Sequence, residues 1–574
     1  MERLKDIYPE VNPAAEFLNI AGDFSDPKEI IREAISNSFD ARAKIIEIEA
    51  FVDKSSGVDD LVVIIKDDGE GMNEGNLKAF FDLGNSRMLR AMERGEPYLD
   101  YIAEKGHGTK VYFNSRRIEV ETFTGKLALK AIMNEPWANL HRRKVPPVEP
   151  WRDDNPENKT GTVVRVYGYN YASKDPLSGF SHEELKDYIL WFTKFGSIEL
   201  LFGHNGNESK LLRLKGLDAT QWEELKFGHP FPSENYARKA LRHKDPAEPM
   251  EYYVRRLFCD ERSVLRYSTE RIQFVFYLEG DRAKRDYNKM ISAGKGLEKE
   301  GTYTVQQRYG LRLCKDYIPQ SKRVSEWIAK KTEWTKWHAF VNCQGFHLTA
   351  NRGDVGNTPK ALMKAIEDTV MAIFENEIEA SRAYQDYIQE VRLEEALMSA
   401  REEQQDFDRR RKLTLRKKVA TFKGVELIEP RQEAGVYSLF LTLATLKPNL
   451  FTWKVVDYDT KTGYDVLTRE NDGLPLDRTR MAFLEFKKEL GRSFNHAFGK
   501  LEAIVSWDCK LNDGDEVEDK EGKKRFLRIT SKSAGQPYTK YMLISNTEPH
   551  NIEVIVLKEY IKEKLGLEFS SRAG

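Results

Sequence analysis

The sequence predicts an α+β chain of several domains, and three observations carry that prediction. Its 574 residues are enough for several domains of ordinary size. Short apolar runs bounded by glycine and charge, such as Leu61–Ile65 and Ile272–Leu278, have the length of buried strands. A strongly charged stretch from about 358 to 420, with sparse apolar positions, reads as a helical stalk or two-helix arm rather than a packed core.

Composition sets further limits. A chain with 40% hydrophobic and 32% charged residues reads as soluble and globular, and no apolar run approaches the length of a membrane span. Met1–Asp6 is not the start of a signal peptide, so a cytoplasmic location without a membrane partner is expected. Cys259, Cys314, Cys343 and Cys509 are far apart with no C-x-x-C pair, which argues for reduced core thiols and against zinc. A net charge of -1 gives no overall pull toward nucleic acid, so any such contact must come from local basic patches.

Residues 1 to about 25 form a lead-in, and Phe24-Ser25-Asp26-Pro27 places a cap and a proline just before a helix. On that helix Glu33, Asn37 and Asp40 fall at i, i+4 and i+7, one polar face, with Ile31, Ala34, Ile35 and Ser38 on the other side. Two carboxylates and an amide oxygen suit a divalent cation beside an activated water; the same pattern also describes a solvated helix face. Leu61–Ile65 then runs into Lys66-Asp67-Asp68-Gly69-Glu70-Gly71-Met72, a carboxylate at a strand's end with two glycines that permit close approach to the backbone. Lys105-Gly106-His107-Gly108-Thr109-Lys110-Val111 reads as a glycine turn opening a helix, whose N–H groups and Lys110 would attract phosphate. Lys159-Thr160-Gly161-Thr162 leads into the strand Val163–Val166.

In this order the four pieces are E-x-x-x-N-x-x-D-A, D-x-G-x-G, G-x-G-x-K and G-T-x-V. They resemble the ATP-binding fold shared by gyrase, the large heat-shock chaperones, histidine kinases and MutL, the GHKL class with its Bergerat α/β sandwich. The resemblance implies ATP and Mg²⁺ as cofactors. It implies that Asp67 accepts a hydrogen bond from the adenine amino group, that Gly71 gives the base room, and that Asn37 holds Mg²⁺. Glu33 would orient and deprotonate the attacking water, and Gly106, Gly108 and Lys110 would cradle the phosphates. Asp40, Ala41, Gly69, Met72, His107, Thr109 and Thr162 would complete the pocket. No G-x-x-x-x-G-K-[ST] occurs, so a P-loop has nothing to stand on.

Between the second and third motifs, Phe80–Met88 and the charged stretch to Glu104 stand where this class carries its lid. Asn85, Ser86 and Arg87 occupy the place of a small-polar-plus-basic triplet in MutL and MORC proteins, as a phosphate sensor or as a solvated loop. Strands are expected at Ile272–Leu278 and Tyr309–Asp316. Ala339–Asp354 resembles the end of a MORC transducer domain, ribosomal-protein-like in fold, where T-x-N-K-x-D places a lysine on the terminal phosphate. Here the run is Thr349-Ala350-Asn351-Arg352-Gly353-Asp354, so Arg352 would make that contact, in a bidentate and bulkier form, or the run is a surface turn. Arg409-Arg410-Arg411-Lys412 and Arg416-Lys417-Lys418, the most basic run, is either a solvated helix face or a phosphate-backbone contact.

Past Pro430 a helix is expected from Glu433, with strands at Trp453–Tyr458, Gly463–Leu467 and Met481–Lys487, then a helix at Phe494–Phe498 and a strand at Ile504–Asp508. On a strand Glu485 and Lys487 share a face and Phe486 points away. An aspartate on one strand and E-x-K on the next resemble the PD-(D/E)xK nuclease fold. The resemblance implies that Asp465 and Glu485, with Glu433 from the helix, hold Mg²⁺ while Lys487 orients a hydrolytic water. Tyr464 stands where that fold usually has proline; a degenerate nuclease fold used for binding, or an unrelated domain, are the alternatives. The D-Q-H-A of some MutL endonucleases is absent, and Asn495-His496-Ala497 does not replace it.

The domains expected are a GHKL domain over 1–175, a transducer over 176–357, a helical arm over 358–425 and a restriction-endonuclease-like domain over 426–574. Together they resemble prokaryotic MORC-like ATPases of restriction and defence. That implies a homodimer which closes on ATP around double-stranded DNA, with defence-system proteins as further partners and carboxy-terminal domains that cut or grip. An ATP-gated clamp without nuclease activity and a chaperone-like remodeller are the competing expectations. A histidine kinase is not expected, since no dimerising helix with a phosphoacceptor histidine precedes the ATP-binding region.

Overall fold

Alternating burial writes the first sheet into the sequence. In β1 (Ile45–Asp53) Ile46, Ile48 and Ala50 are buried while Glu47 and Glu49 face outward. The computed structural model describes residues 11–83, 108–154, 158–234, 249–292, 301–349 and 354–572, apart from 23, 25, 56, 58, 330, 331, 460–464 and 547. The remaining strands of this sheet are β2 (Asp60–Asp67), β3 (Arg117–Thr124), β4 (Leu127–Asn134), β5 (Val148–Asp154), β6 (Thr160–Tyr167), β7 (Leu211–Lys215) and β8 (Glu223–Lys226). They lie in the order β5-β4-β3-β6-β2-β1-β7-β8, antiparallel except for the parallel pair β1/β7. The first sheet therefore takes in residues 211–226, past the boundary near 175 expected from the sequence.

Three helices, α1 (Pro13–Gly22), α2 (Glu29–Asp40) and α3 (Glu74–Phe81), contribute to the core of this domain. The expected cap closes the turn that leads into α2: Asp26 Oδ1 accepts a hydrogen bond from Lys28 N at 2.9 Å, while Lys28, at the N-cap of the helix itself, makes no side-chain cap bond. Ile30, Ile31, Ala34 and Ile35 pack into the same core as Ile46, Ile48, Val63 and Ile65. Burying each large apolar side chain contributes roughly 1.5–3 kcal/mol.

The second sheet comprises β9 (Val254–Val264), β10 (Tyr267–Glu279), β11 (Gly310–Lys315), β12 (Ile318–Arg323) and β13 (Trp337–Cys343), ordered β12-β11-β13-β10-β9. Helix Lys360–Ile373, a π turn over Phe374–Glu379 and helix Arg382–Leu415 follow. The sequence reads these as an arm too poor in apolar residues to pack. Instead Leu362, Ile366, Val370, Phe374, Ile378, Tyr384, Tyr387, Ile388 and Val391 join one core with Phe274, Phe276 and Val341. The reason is spacing: from Leu362 to Ile378 these residues recur every four positions and from Tyr384 to Val391 about every three, so a modest number still makes an apolar stripe on either side of the break at 380–381. Only beyond Val391 do Leu393, Leu397 and Phe407 stand more than half exposed.

A chain of buried polar groups in this part of the molecule is joined by hydrogen bonds. Tyr287 donates to Glu279 Oε2 at 2.7 Å, and His338 Nδ1 lies 2.9 Å from Glu279 Oε1. His338 Nε2 is 2.9 Å from His229 Nε2, whose Nδ1 donates to Leu190 O at 2.9 Å. Burial would raise the Glu279 carboxyl, but His338 and Lys284 outweigh it and hold it below the usual range.

The chain divides into compact units at 1–397 and 398–574. The second takes in the last part of the long helix, from Met398, and then the hairpin β14 (Val419–Phe422) and β15 (Val425–Ile428). Its sheet is built from β16 (Trp453–Tyr458), β17 (Val466–Glu470), β18 (Met481–Leu490), β19 (Leu501–Cys509), β20 (Glu516–Glu518), β21 (Lys524–Thr530), β22 (Lys540–Ile544) and β23 (Ile552–Val556). Their order is β16-β17-β18-β19-β23-β22-β21-β20, with β18, β19 and β23 parallel. Helix Glu433–Leu446 buries Val436, Leu439, Phe440 and Leu443 in one core with Leu484, Phe486, Ala503 and Val505. The helix expected at Phe494–Phe498 does not form. Phe494 N donates to Glu518 O at 2.8 Å and Phe498 N to Asp519 Oδ2 at 2.9 Å, so its backbone donors are spent on a neighbouring strand. Among the described residues no helix is long and apolar enough to cross a membrane.

Burial, with His338 adding to it, drives the His229 imidazole well below its ordinary value, so the unfolded chain protonates first. The stability that neutral His229 contributes is present above about pH 6.5 and is lost as pH falls below it. Scanning calorimetry should show a drop in melting temperature from pH 7 to pH 5 that is smaller in His229→Gln by roughly 3 °C, about 1 kcal/mol in a domain of this size.

Candidate functional site

α2 places Glu33 inside the first domain, 2% exposed, with its carboxylate against the backbone of Gly108. A Cβ on Gly108 would stand 1.9 Å from Glu33 Oε2, so only glycine leaves that carboxylate its position. One turn on, Asn37 is hydrogen-bonded to the phenol of Tyr112, which burial pushes above the usual tyrosine range. Tyr112 is buried and belongs to this site, and nothing in its spacing announced it.

The second motif meets the first at the end of α2. Glu70 N donates to Ala41 O at 2.9 Å, and a Cβ on Gly69 would lie 2.6 Å from that oxygen. Gly71 has φ +72°, and a Cβ there would lie 2.1 Å from Phe123 O. The close approach that the sequence expects at these glycines is thus made by the chain's own backbone. Asp67 Oδ1 accepts from Gly69 N at 2.9 Å, and Asp68 Oδ1 accepts from Lys44 N and Ile45 N at 2.7 and 2.8 Å. Asp40 ends α2 beside this loop.

Strand register brings Asp67 of β2, Thr162 of β6 and Thr122 of β3 into one row. Thr122 Oγ1 is 3.0 Å from Thr162 Oγ1 and accepts from Met72 N at 2.7 Å. Thr122 is a member of the site that the motifs miss, because only strand pairing puts it there. A carboxylate beside two hydroxyls at the end of a glycine loop suits the amino edge of a purine, and an amide oxygen on a helix facing it suits a hard cation.

Gly108 opens not an α-helix but a tight 3₁₀ turn, Gly108–Phe113, and this alters the expected part of Lys110. Lys110 is fully buried, donating to Phe80 O at 3.2 Å and Thr109 Oγ1 at 2.9 Å, while Thr109 also donates to Phe80 O. Both satisfy a carbonyl at the end of α3, where the helix leaves its acceptors open. Burial pushes the Lys110 ammonium down to about 7. Asn85, Ser86, Arg87, Gly106, His107 and Arg352 lie outside the described residues. Thr349 and Asp354, on either side of the Arg352 segment, are joined by Thr349 N donating to Asp354 O at 2.8 Å. Both line a cavity of about 390 Å³ that also takes in Asp26, Glu29, Arg32 and Tyr188.

The carboxy-terminal unit brings together all four residues that its motif singled out. Asp465 N donates to Glu485 Oε2 at 3.2 Å, and Asp465 Oδ2 accepts from Phe486 N at 3.0 Å. Lys487 Nζ lies 2.8 Å from Glu485 Oε1 and 3.3 Å from Glu433 Oε1. His496, which the sequence set aside, lies 3.1 Å from Glu485 Oε1 through Nε2. Burial raises the wholly enclosed Glu485 carboxyl, against the pull of Lys487. A cavity of about 460 Å³ lies against Glu433, Tyr437, Tyr458, Asp465 and Lys488, and Tyr437 and Tyr458 stack at 4.4 Å between centroids.

The expected metal set is corrected in one respect. Among the described residues no three histidine, cysteine, aspartate or glutamate side chains converge as ion ligands. Glu433 pairs with Lys487 because the lysine lies between it and Glu485, and Asp465 is turned toward the backbone of Phe486. Asp465 and Glu485 retain the oxygen chemistry of a Mg²⁺ site; Glu433 does not join them.

Residues 25–156 match the family model of the "Histidine kinase-, DNA gyrase B-, and HSP90-like ATPase". No curated protein matches the chain. The family match places this region in the GHKL class and supports ATP binding and hydrolysis by the domain that holds Glu33, Asn37 and Asp67.

The Glu33–Gly108 contact is directly testable. Gly108→Ala has an ordinary backbone angle to adopt and displaces only the end of the Glu33 side chain. It should leave the melting temperature close to wild type while lowering ATP turnover by about tenfold or more, the expected cost of a misplaced side chain in a site for phosphoryl transfer.

Proposed function

We propose that the chain is an ATP-driven, DNA-acting protein of MORC-like design. The arrangement that carries the reading is the enclosed Glu33 carboxylate over Gly108 together with the row Asp67–Thr162–Thr122 in the same domain. Asp67 with Thr162 would hold the adenine edge, and Asn37 would hold Mg²⁺ through its amide oxygen. Glu33 would accept the proton of the attacking water, and Arg352 would contact the terminal phosphate. The bound nucleotide with Mg²⁺ supplies the phosphoryl group and the charge neutralisation that its transfer requires. The protein's own residues orient the water, exclude solvent and fix the geometry. The nucleotide also works as a ligand that biases an open–closed equilibrium, with two subunits closing around double-stranded DNA in the cytoplasm, in restriction or antiviral defence alongside other defence proteins.

The carboxy-terminal unit would act on that DNA. Support comes from Asp465, Glu485 and Lys487 meeting midway along β18, with Asp465 also lining a cavity bordered by Tyr437 and Tyr458. Lys487 would orient the hydrolytic water, and Asp465 with Glu485 would hold Mg²⁺. A second reading, an ATP-gated clamp that grips without cutting, is favoured by the engagement of Glu485 with Lys487 and His496. The basic run Arg409–Lys412 serves either reading through phosphate contact.

Two experiments decide. Glu33→Ala should keep affinity for a non-hydrolysable ATP analogue in calorimetry and lose turnover by about 10²-fold or more, the usual worth of a general base. Unchanged turnover removes Glu33 from that role. Supercoiled plasmid with ATP and Mg²⁺ should be nicked by the wild type and not by Asp465→Ala or Glu485→Ala. Retardation of DNA without nicking would establish the clamp, and neither retardation nor nicking would leave protein remodelling.

A further inference from the structure

The turn of α2 ahead of Glu33 holds a charge arrangement that the reaction just described leaves unused. Glu29 and Glu33 lie one turn apart, 5% and 2% exposed, and Arg32 reaches both. Its Nη2 is 3.2 Å from Glu29 Oε2, and its Nε is 3.5 Å from Glu33 Oε1. Buried Tyr188, from the helix His182–Phe192, closes the cavity wall beside Glu29 and Arg32. Two enclosed carboxylates therefore share one guanidinium at the edge of that cavity.

Physical chemistry assigns the shared cation a task. A carboxylate withdrawn from water is costly unless a positive charge or hydrogen-bond donors replace the lost solvent. One guanidinium balances one such charge, and burial pushes the Glu29 carboxyl up to about 7. A guanidinium is planar and presents its donors in fixed directions, so it can brace against one acid while holding the other in a set orientation; an ammonium can reach two acids but fixes neither's orientation. The Glu33 carboxylate also lies against Gly108, where a Cβ would stand 1.9 Å from Oε2.

We propose that Arg32 is the positioning residue for Glu33: braced by Glu29, its guanidinium fixes the Glu33 carboxylate over Gly108 and balances its charge. Arg32 acts through Glu33 and touches no reacting atom, and the assignment rests on the reading of Glu33 as the base.

The test compares ATP turnover with affinity for a non-hydrolysable ATP analogue, on the full chain with Mg²⁺. Arg32→Ala should lose turnover by at least about tenfold while its analogue affinity stays within about twofold of wild type. Arg32→Lys, which returns the charge without the fork, should recover part of the loss. Turnover of Arg32→Ala within about twofold of wild type overturns the proposal. So does an equal loss of turnover and affinity, the mark of a merely structural prop. Should Arg32→Ala fail to fold, Glu29→Gln decides: it keeps the side chain's shape and weakens the brace, and lowered turnover at unchanged affinity supports the proposal while unchanged turnover overturns it. A wild-type chain that binds the analogue without turning ATP over brings down the reading of Glu33 itself, an outcome distinct from a competent wild type with an indifferent Arg32 variant.

Discussion

A carboxylate held out of water against a glycine backbone is the constraint around which the amino-terminal site is arranged. Glu33 is 2% exposed and leaves no room for a Cβ at Gly108. That contact sets where the third motif must run relative to α2, and so where Thr109 and Lys110 turn to meet the end of α3. The other side of the same helix is anchored by Ile30, Ile31, Ala34 and Ile35 in the core. Sheet packing thus fixes the backbone from which the acid projects.

Buried charge follows one rule in both units: it is shared. Glu33 and Glu29 divide Arg32, Glu279 is met by His338 and Tyr287, and Glu485 is met by Lys487 and His496. Each group would be costly alone in a low-dielectric interior. Paired, each becomes a fixed dipole whose orientation no longer depends on solvent, the condition under which electrostatic catalysis is effective. Lys110 is the instructive contrast. It has found carbonyl and hydroxyl oxygens, and burial lowers its ammonium toward neutrality, so its chemistry is structural in this state of the protein.

The division of the chain also has a physical basis. The apolar stripe from Leu362 to Val391 anchors helix residues to the second sheet, and when it ends the helix continues with exposed Leu393, Leu397 and Phe407. The break between the compact units falls there, where nothing apolar remains to be buried against the sheet.

By itself the sequence determined what local chemistry dictates: the capped turn that leads into α2, the polar face bearing Glu33 and Asn37, the strand ending at Asp67, and a strand that puts Glu485 and Lys487 on one side. These follow from periodicities of 3.6 and 2 residues, which need no partner to be read. It also carried the motifs whose resemblance pointed to the GHKL class. What it did not carry were contacts between elements distant along the chain. Thr122 and Tyr112 entered the site, Lys110 turned away, Gly69 and Gly71 met the protein's own carbonyls, Glu433 went to Lys487, and a helix was lost at Phe494–Phe498. Only the tertiary structure decided these, because each depends on which backbone or charge from another segment arrives first at a buried polar group. That competition is settled by packing in three dimensions and leaves no period in the sequence.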